Sequence, residues 1–245
     1  MVATYDLCVR SNIRLTPNMR RIVLEGEPLL GFPENQESGY VKLLFPSDEA
    51  NKSIMRSYTI RAFDAADQAI TLDFADHGNA GPASTWANVA EPGDPMTIRG
   101  PGETKLAAAN ADWHLLAGDM SALPALAVNL ERLPSDAKGY AAIEVLSEAD
   151  KQVIDHPSGL DVHWLVNSNS ETENTHLFDL VTSLPSLEGT PYPWFAGEFS
   201  TMRRMRRYFR EDLGIEKRAM YVSSYWKIGD TDEGMKLAKR MDTEA

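Results

Sequence analysis

Hydrophobic and polar positions alternate in short runs along the first hundred residues. Pro, Gly, Asn and Asp separate these runs, as they do in antiparallel β-structure. Six runs predict strands: YDLCV, MRRIVLEG, GYVKLLF, RSYTIRAF, AITLDFA and MTIRG. A helix is predicted at residues 81–89, between the fifth and sixth strands. Several short strands of this kind predict a β-barrel or a sandwich.

The pattern changes near residue 105, because strand-like runs now alternate with helical ones. HLLAG precedes SALPALAVNLERL, DVHWLV precedes THLFDLVTSL, PYPWFAGE precedes STMRRMRRYFREDLG, and AMYVSSYW is the last strand. This alternation is typical of βαβ units and a parallel sheet. We therefore predict two domains, 1–104 and 105–245, the second with a C-terminal tail.

Charge and composition argue against several classes of function and site. The chain of 245 residues has a formal net charge of -12, which argues against nonspecific binding to nucleic acid or to an anionic membrane. One cysteine, Cys8, and five histidines without zinc-like spacing predict neither an internal disulfide nor a metal site. No signal peptide or membrane-spanning run is visible. We expect a soluble, cytoplasmic monomer that does not insert into membranes.

The hexapeptide RSYTIR, residues 56–61, combines chemical groups that suit a dinucleotide. In a strand, Arg56 and Tyr58 share one face, and Ser57 and Thr59 share the other. A guanidinium can bind a phosphate, a tyrosine ring can cover a planar heterocycle, and a hydroxyl can bond the heterocycle's edge. These are the requirements of a flavin dinucleotide. An edge strand with solvated arginines is the simpler interpretation of the hexapeptide by itself.

Two further segments place glycines where a strand passes into a helix. DFADHGNAGPASTWA, residues 73–87, puts helix-start amides where they could meet a pyrophosphate, with His77 and Ser84 beside them. LLAGDMSALPALA, residues 115–127, places Gly118 at a strand end, where nucleotides usually approach such sheets. Ordinary turns and a helix cap are the alternative interpretations.

A third segment, YVSSYWKIGDTDEG at residues 221–234, places large aromatic side chains just after the last strand. Exposing them to water is unfavourable. Tyr225 and Trp226 could cover a flavin, or they could pack between the domains.

Together with EPGDPMTIRGP, WFAGE at 194–198 and YWKIG at 225–229, these segments occur in an order that resembles one family nearly end to end. The chain resembles the siderophore-interacting proteins, flavin-dependent ferric-siderophore reductases related to the ferredoxin reductases. The resemblance implies a six-stranded antiparallel FAD-binding β-barrel, followed by a Rossmann-like α/β domain of the NAD(P)H-binding type. It also implies FAD at their interface and reduction of siderophore-bound Fe(III) to Fe(II). The flavin carries the redox step, so we predict no catalytic side chain.

The resemblance also implies roles for individual residues. Arg56 would hold the FAD phosphate, Tyr58 would lie against the isoalloxazine, and Thr59 would bond near its N5 edge. The other expected FAD-binding residues are Ser57, Asp76, His77, Ala83, Ser84 and Trp226. The expected nicotinamide-binding residues are Gly118, Asp119 and Ser121.

The chain departs from the family pattern at two places. Lys227 follows the final Tyr-Trp pair, where the family usually has an arginine, so the charge is kept but the bidentate fork is lost. Met120 and Ser121 stand where an acidic residue and a threonine are expected. The second departure bears on the nicotinamide contacts.

An anionic ferric siderophore would need a local basic patch on this acidic protein. We predict Lys42, Arg99 and Lys227 as substrate-binding residues, with solvated surface charge as the alternative. The run Arg203–Arg210 could dock an acidic ferredoxin, or it could form a helix face balanced by neighbouring acidic residues.

The electron donor is predicted from the segment that follows the strand GYAAIEVL. Glu148 and Asp150 would repel a 2'-phosphate and could bond a ribose hydroxyl, which favours NADH. Ser147 and Lys151 could reverse that preference. NADPH and reduced ferredoxin are the alternative donors.

Two other functions stay open at this point. One is a general NAD(P)H-dependent flavin or ferric reductase, which would prefer free flavin as the acceptor. The other is a non-enzymatic siderophore-binding partner module, for which colourless purified protein would be expected.

Overall fold

The chain divides into two compact units, Met1–Lys105 and Leu106–Ala245. A computed structural model describes residues 3–47, 53–76 and 81–242. Each unit has its own hydrophobic cluster. None of the helices in these described ranges is both long enough and apolar enough to cross a membrane.

The first unit is a closed barrel of six antiparallel strands. Its strands pair in the order β1-β2-β5-β4-β3-β6, and β6 pairs with β1 to close it. Closure leaves no unpaired strand edge. The strands are β1 (Ala3–Thr16), β2 (Met19–Glu25), β3 (Tyr40–Pro46), β4 (Ser53–Asp64), β5 (Ala69–Ala75) and β6 (Pro95–Gly100).

Alternating side chains fill the barrel. In β3, Val41, Leu43 and Phe45 are buried and their neighbours are partly exposed, because successive side chains of a strand point to opposite faces. Helix α1 (Pro82–Val89) lies between β5 and β6 in the chain and adds Ala83 and Ala87 to the same core.

The second unit is a five-stranded parallel sheet in the order β11-β10-β7-β8-β9. The chain runs outward in one direction from β7 through β8 to β9, and then returns to the other side of β7 for β10 and β11. Ligands of such sheets bind beyond the carboxyl ends of the strands at this reversal, which here lies between β7 and β10. The strands are β7 (Trp113–Gly118), β8 (Lys138–Val145), β9 (Gly159–Val166), β10 (Pro191–Glu198) and β11 (Tyr221–Trp226).

Helices connect and cover these strands. The central strand β7 is buried along its whole length, as expected for a parallel strand covered on both faces. The helices are α2 (Leu123–Arg132), α3 (His176–Ser183), α4 (Phe199–Arg207) and α5 (Asp232–Met241).

The predicted fold class is confirmed: an antiparallel six-stranded barrel precedes a Rossmann-like parallel sheet. The segment expected only as a C-terminal tail contains α5. This helix begins after Thr231, whose hydroxyl accepts a hydrogen bond from the Gly234 amide. Its charged sequence, DEGMKLAKRM, obscured the apolar face.

Candidate functional site

Strand β4 brings Arg56 and Tyr58 onto one face of the barrel wall. Arg56 lies opposite Leu43 and Tyr58 lies opposite Val41 on β3. Directly opposite residues of an antiparallel pair share a face, and both partners are fully buried. Arg56 and Tyr58 are themselves only partly buried. The face therefore offers a cation and an aromatic ring two residues apart.

Packing fixes the ring of Tyr58. Its centroid lies 4.1 Å from that of Phe74, with 31° between the ring planes. Burial raises the pKa of the Tyr58 hydroxyl, although the nearby charge of Arg56 acts in the opposite direction. The phenol therefore stays protonated at neutral pH and remains a hydrogen-bond donor.

The opposite face of the wall carries two adjacent cations. Lys42 on β3 lies opposite Ser57 on β4 and opposite Arg99 on β6. Neither Lys42 nor Arg99 has a hydrogen-bond or ion-pair partner among the described residues. Like charges directly opposite each other destabilise a sheet, so an anion bound here would relieve their repulsion. The structure thus brings two of the three predicted substrate-binding residues together.

The start of α1 provides free space and no negative charge. The cap residue is Gly81, and a Cβ added there would meet nothing within 4 Å. Ala83 and Ser84 lie in the first turn, where backbone amides have no partner within the helix. The helix sequence, PASTWANV, contains no acidic residue. This helix start can accept a phosphate.

Three further residues predicted to bind FAD are Asp76, Thr59 and His77. The backbone amide of Asp76 donates to the carbonyl of Asn18 at 2.8 Å, and this bond joins the end of β5 to the turn before β2. Thr59 is buried and lies opposite Tyr40. His77 lies outside the described residues.

In the second unit, Asp119 ties together the carboxyl ends of three strands. It follows β7 directly and is 7% exposed. Its Oδ1 accepts from the Ser121 amide at 2.9 Å and from the Ser121 hydroxyl at 2.5 Å. Its Oδ2 accepts from the Glu198 amide at 2.8 Å and from the Trp226 indole at 2.8 Å. Glu198 ends β10 and Trp226 ends β11.

Glu198 extends this network. Its Oε2 accepts from the amides of Ser200 and Thr201 at 2.5 and 3.0 Å, which caps α4. Its Oε1 accepts from the amide of Ile228 at 3.4 Å. The chain that leaves β11 is therefore held by two carboxylates.

Lys227 lies between Trp226 and Ile228, which these two carboxylates hold. Its ammonium pairs with Asp230 and lies 6.0 Å from the centroid of the Phe199 ring. Its charge is therefore partly neutralised within its own turn.

Close packing explains Gly118. A Cβ at this position would lie 2.6 Å from the carbonyl oxygen of Ala196 and 3.0 Å from side-chain atoms of Ala122 and Leu126. Only glycine lets β7 approach β10 and α2 this closely. Gly118 thus has a packing role at the strand end where we predicted nucleotide contact.

An acidic cavity of about 20 Å³ lies beside this network, which is room for about one water molecule. Asp119, Glu144 and Glu198 line it, together with Trp226 and residues of the 170–177 segment. Burial, followed by the charge of Asp119, raises the pKa of Glu144 to about 7. The hydrogen bond that Glu144 accepts from Asn167 at 3.2 Å opposes this shift.

The residues on which the preference for NADH was based are occupied by protein contacts. Asp150 is fully buried and accepts from the Ser147 hydroxyl at 2.7 Å. Glu148 pairs with Lys151 at 2.6 Å. Asp150 is therefore not available to a ribose hydroxyl.

The arginine run of α4 is divided among several partners. Arg204 pairs with Glu173, Arg207 pairs with Glu211, and the buried Arg206 pairs with Asp242 through both carboxylate oxygens. These contacts support the interpretation as a balanced helix. The ferredoxin-docking role stays a prediction.

Family models match both units. The model described as Siderophore-interacting FAD-binding domain matches residues 8–53 and 47–105, and the model described as Siderophore-interacting protein matches residues 111–229. The chain belongs to the siderophore-interacting protein family. The resemblance predicted from the motifs is thereby confirmed, and the barrel of this siderophore-interacting protein is an FAD-binding domain.

Other proteins support this membership. The ferric vibriobactin reductase ViuB of Vibrio cholerae is 32% identical over 238 residues, covering 89% of this chain and 88% of that one. The crystal structure of the siderophore-interacting protein SipS from Aeromonas hydrophila has a TM-score of 0.89 at 33% identity, covering 99% and 98% of the two chains. A protein of Escherichia coli named NADPH-dependent ferric-chelate reductase is 26% identical over 241 residues, covering 90% and 92%.

The described residues of this siderophore-interacting protein fit FAD. The barrel wall provides a guanidinium and a packed aromatic ring on one face, and α1 provides an open start. These are groups that a pyrophosphate and an isoalloxazine require.

Sequence reasoning missed Glu144, Gly197 and Glu198. Gly197 has no room for a Cβ, which would lie 2.5 Å from the Asp119 carboxylate. A Gly-Glu pair at a strand end directly before a helix was the available signal, but glutamate is not a favoured helix cap. The role of Glu198 became clear only from its contact with Asp119 and from its hydrogen bonds to the start of α4.

Proposed function

We propose that this protein is an FAD-dependent ferric-siderophore reductase that reduces siderophore-bound Fe(III) to Fe(II) and releases the iron in the cytoplasm. The observation that carries the proposal is the joint presence of Arg56, Tyr58 and the open start of α1 in the matched FAD-binding domain. The activities named for ViuB and for the Escherichia coli relative support the same reaction class.

Arg56 would hold the pyrophosphate by charge-assisted hydrogen bonds, and the first-turn amides of α1 at Ala83 and Ser84 would share that charge. Tyr58, held by Phe74, would lie flat against the isoalloxazine. Thr59 would bond near its N5 edge. The remaining residues proposed for FAD are Ser57, Asp76, His77 and Trp226. When bound, FAD would supply the redox chemistry between the electron donor and the ferric iron.

The substrate would be held by positive charge. Lys42 and Arg99 form a pair of neighbouring cations that suits an anionic chelate, and Lys227 would add a third once its pairing with Asp230 is exchanged. Reduction promotes release, because hard oxygen ligands favour ferric iron and hold the lower-charged ferrous ion less tightly.

Three electron donors enter the proposal: NADH, NADPH and reduced ferredoxin. A nicotinamide would approach the carboxyl end of β7, where Gly118, Asp119 and Ser121 lie. The protein contacts of Asp150 weaken the argument for NADH over NADPH. We therefore compare the three donors directly.

The test is an anaerobic titration of the purified protein followed by its visible spectrum. Each donor is added in the presence of a ferric siderophore and an Fe(II) trap. We expect a yellow protein whose flavin bleaches with one donor and reoxidises as Fe(II) appears. Faster reduction of free flavin than of chelated iron would instead indicate a general flavin reductase. Colourless protein that cannot be loaded with FAD would overturn the proposal.

A further inference from the structure

The end of α1 is held by a side chain of β1. The side-chain amide of Asn12 donates to the carbonyl oxygens of Ala87 and Ala90 at 2.8 and 2.9 Å. Both alanines are buried, and the carbonyls that end a helix have no partner within it. A side-chain amide nitrogen carries two hydrogens. Both hydrogens of Asn12 are therefore used to hold the end of this helix.

Arg20 on β2 adds a positive charge at the same end of α1. Its Nε donates to Oδ1 of Asn88 at 2.8 Å, and its Nη1 donates to Oδ1 of Asn12 at 3.4 Å. The last turn of α1 contains no basic residue of its own. A cation at the carboxyl end of a helix complements the helix dipole. Strand β2 therefore supplies a charge that the sequence of α1 lacks.

The middle of α1 is held by aromatic packing. The centroid of the Trp86 ring lies 5.8 Å from that of Phe74 and 6.1 Å from that of Phe45. Phe74 also packs against Tyr58. The helix is therefore attached to the same aromatic group that fixes the ring proposed to cover the isoalloxazine.

The start of α1 differs from its middle and its end. The cap residue, Gly81, has no side chain that could accept from the first-turn amides, and the space beside it is open. The first turn contains no acidic residue. These amides are the phosphate ligands of the proposed function. The contacts of Asn12, Arg20 and Trp86 thus hold the rest of the helix while its start stays open for a ligand.

From these contacts we infer that Asn12, together with Arg20, is a positioning residue that fixes the start of α1 for the pyrophosphate of FAD. The inference rests on the proposed function, because it takes the first-turn amides as phosphate ligands. Hydrogen bonds connect the successive turns of a helix, so contacts at one end determine where the amides at the other end lie. Two residues from outside the predicted cofactor segments thereby contribute to cofactor affinity.

Asn12→Ala tests the inference, because it removes both donors and leaves the net charge of the protein unchanged. The measurements are titrations of the apoprotein with FAD and with riboflavin, which carries the isoalloxazine but no phosphate. We expect the Kd for FAD to rise roughly 3- to 30-fold, as phosphate loses its contacts at the helix start. The Kd for riboflavin should stay at the wild-type value, since riboflavin does not use those amides.

Thr97→Val is the matched control. It is also a neutral change that removes a side-chain hydrogen bond of the barrel, from the Thr97 hydroxyl to Asp6 at 2.7 Å, and this bond does not involve α1. The control should bind FAD and riboflavin like the wild type. An equal loss of FAD and riboflavin affinity in Asn12→Ala would make Asn12 a purely structural residue. Unchanged FAD affinity would remove its role altogether, so either result overturns the inference.

If Asn12→Ala does not fold, Arg20→Met decides. We expect its Kd for FAD to rise roughly two- to fivefold, again without a change for riboflavin. Arg10→Met removes the same charge from β1, where Arg10 pairs with Asp67 and Glu25, and should bind FAD like the wild type. Equal FAD affinities in the two arginine variants would refute the inference. A wild type that binds neither FAD nor riboflavin would overturn the proposed function as well, which distinguishes the two failures.

Discussion

At the residue scale, two arginines of one short strand have different surroundings. Arg56 lies opposite the buried Leu43 on the core-facing side of the barrel wall. Arg61 lies five residues further along β4, where the pairing of β4 with β5 is irregular between Ile60 and Ala62. The pair provides a test in which charge and strand are held constant.

We expect Arg56→Ala to weaken FAD binding by roughly 10- to 100-fold, since a hydrogen bond to a charged group contributes about 1.5–3 kcal/mol. The measurement is a titration of the apoprotein with FAD. Arg61→Ala serves as the control and should bind FAD like the wild type. Equal affinities in both variants would remove Arg56 from the phosphate site.

Glu144 is a buried carboxyl group that ionises at an unusually high pH. Its pKa is raised from 4.5 to about 7, chiefly by burial and then by the charge of Asp119. The folded protein therefore holds this proton over a pH range in which the unfolded chain has released it. Stability from this group falls as pH rises from about 4.5 to 7, because the folded state binds more protons there.

Glu144→Gln should remove this dependence while keeping an oxygen for Asn167. At pH 8 we expect the free energy of unfolding of the variant to exceed that of the wild type by on the order of 2–3 kcal/mol. Near pH 4.5 the two free energies of unfolding should be about equal. Urea denaturation at several pH values measures the difference. A difference that does not vary with pH would contradict the assignment.

At the element scale, the spacing of β7 and β10 determines the shape of the sheet edge. Gly118 and Gly197 both lie where a Cβ would strike neighbouring atoms. The sheet's reversal point is therefore closed by backbone packing and by the Asp119 carboxylate. Hydrogen bonds to Asp119 and Glu198 anchor the chain that leaves β11 at this strand end.

Gly118→Ala should lower stability by about 1–3 kcal/mol, because the added methyl group overpacks the contact with the Ala196 carbonyl. Thermal unfolding should shift down by several degrees. The control is Gly31→Ala, since a Cβ at Gly31 meets nothing within 4 Å. If both variants melt together with the wild type, the close approach of β7 and β10 is wrong.

At the scale of the whole molecule, the net charge of the chain is opposite in sign to the local charge at the predicted substrate site. The chain carries a formal net charge of -12, yet Lys42 and Arg99 are neighbours on one barrel face. The net charge acts over tens of ångströms at low salt, where the Debye length is about 30 Å, but over only about 8 Å at physiological salt. The local pair acts at contact distance under both conditions.

We therefore expect kcat/KM for an anionic ferric catecholate to rise by roughly two- to tenfold between about 10 and 150 mM salt, as long-range repulsion is screened. A neutral ferric hydroxamate is the control and should show no such rise. Steady-state assays at fixed donor concentration measure both. A fall with salt for the anionic chelate would show that the local basic pair dominates the encounter.

Much of the fold was predictable, because the type of each strand and helix depends on local hydrophobic period. The alternating runs predicted the barrel strands, and the βα alternation predicted the parallel sheet. The position of Lys42 opposite Arg99 was not predictable, because the register of β3 against β6 determines it. The two bonds to Oδ2 of Asp119 were likewise hidden, because the donors Glu198 and Trp226 lie on strands that come much later in the sequence.

That separation also has a consequence for biosynthesis. Asp119 leaves the ribosome 79 residues before the amide of Glu198 and 107 residues before the indole of Trp226. Until both donors emerge, closing the sheet would bury a carboxylate that lacks two of its bonds, which is unfavourable. The second unit therefore completes its fold only after translation has passed Trp226. A nascent chain that stalls earlier presents a half-built sheet to chaperones and proteases.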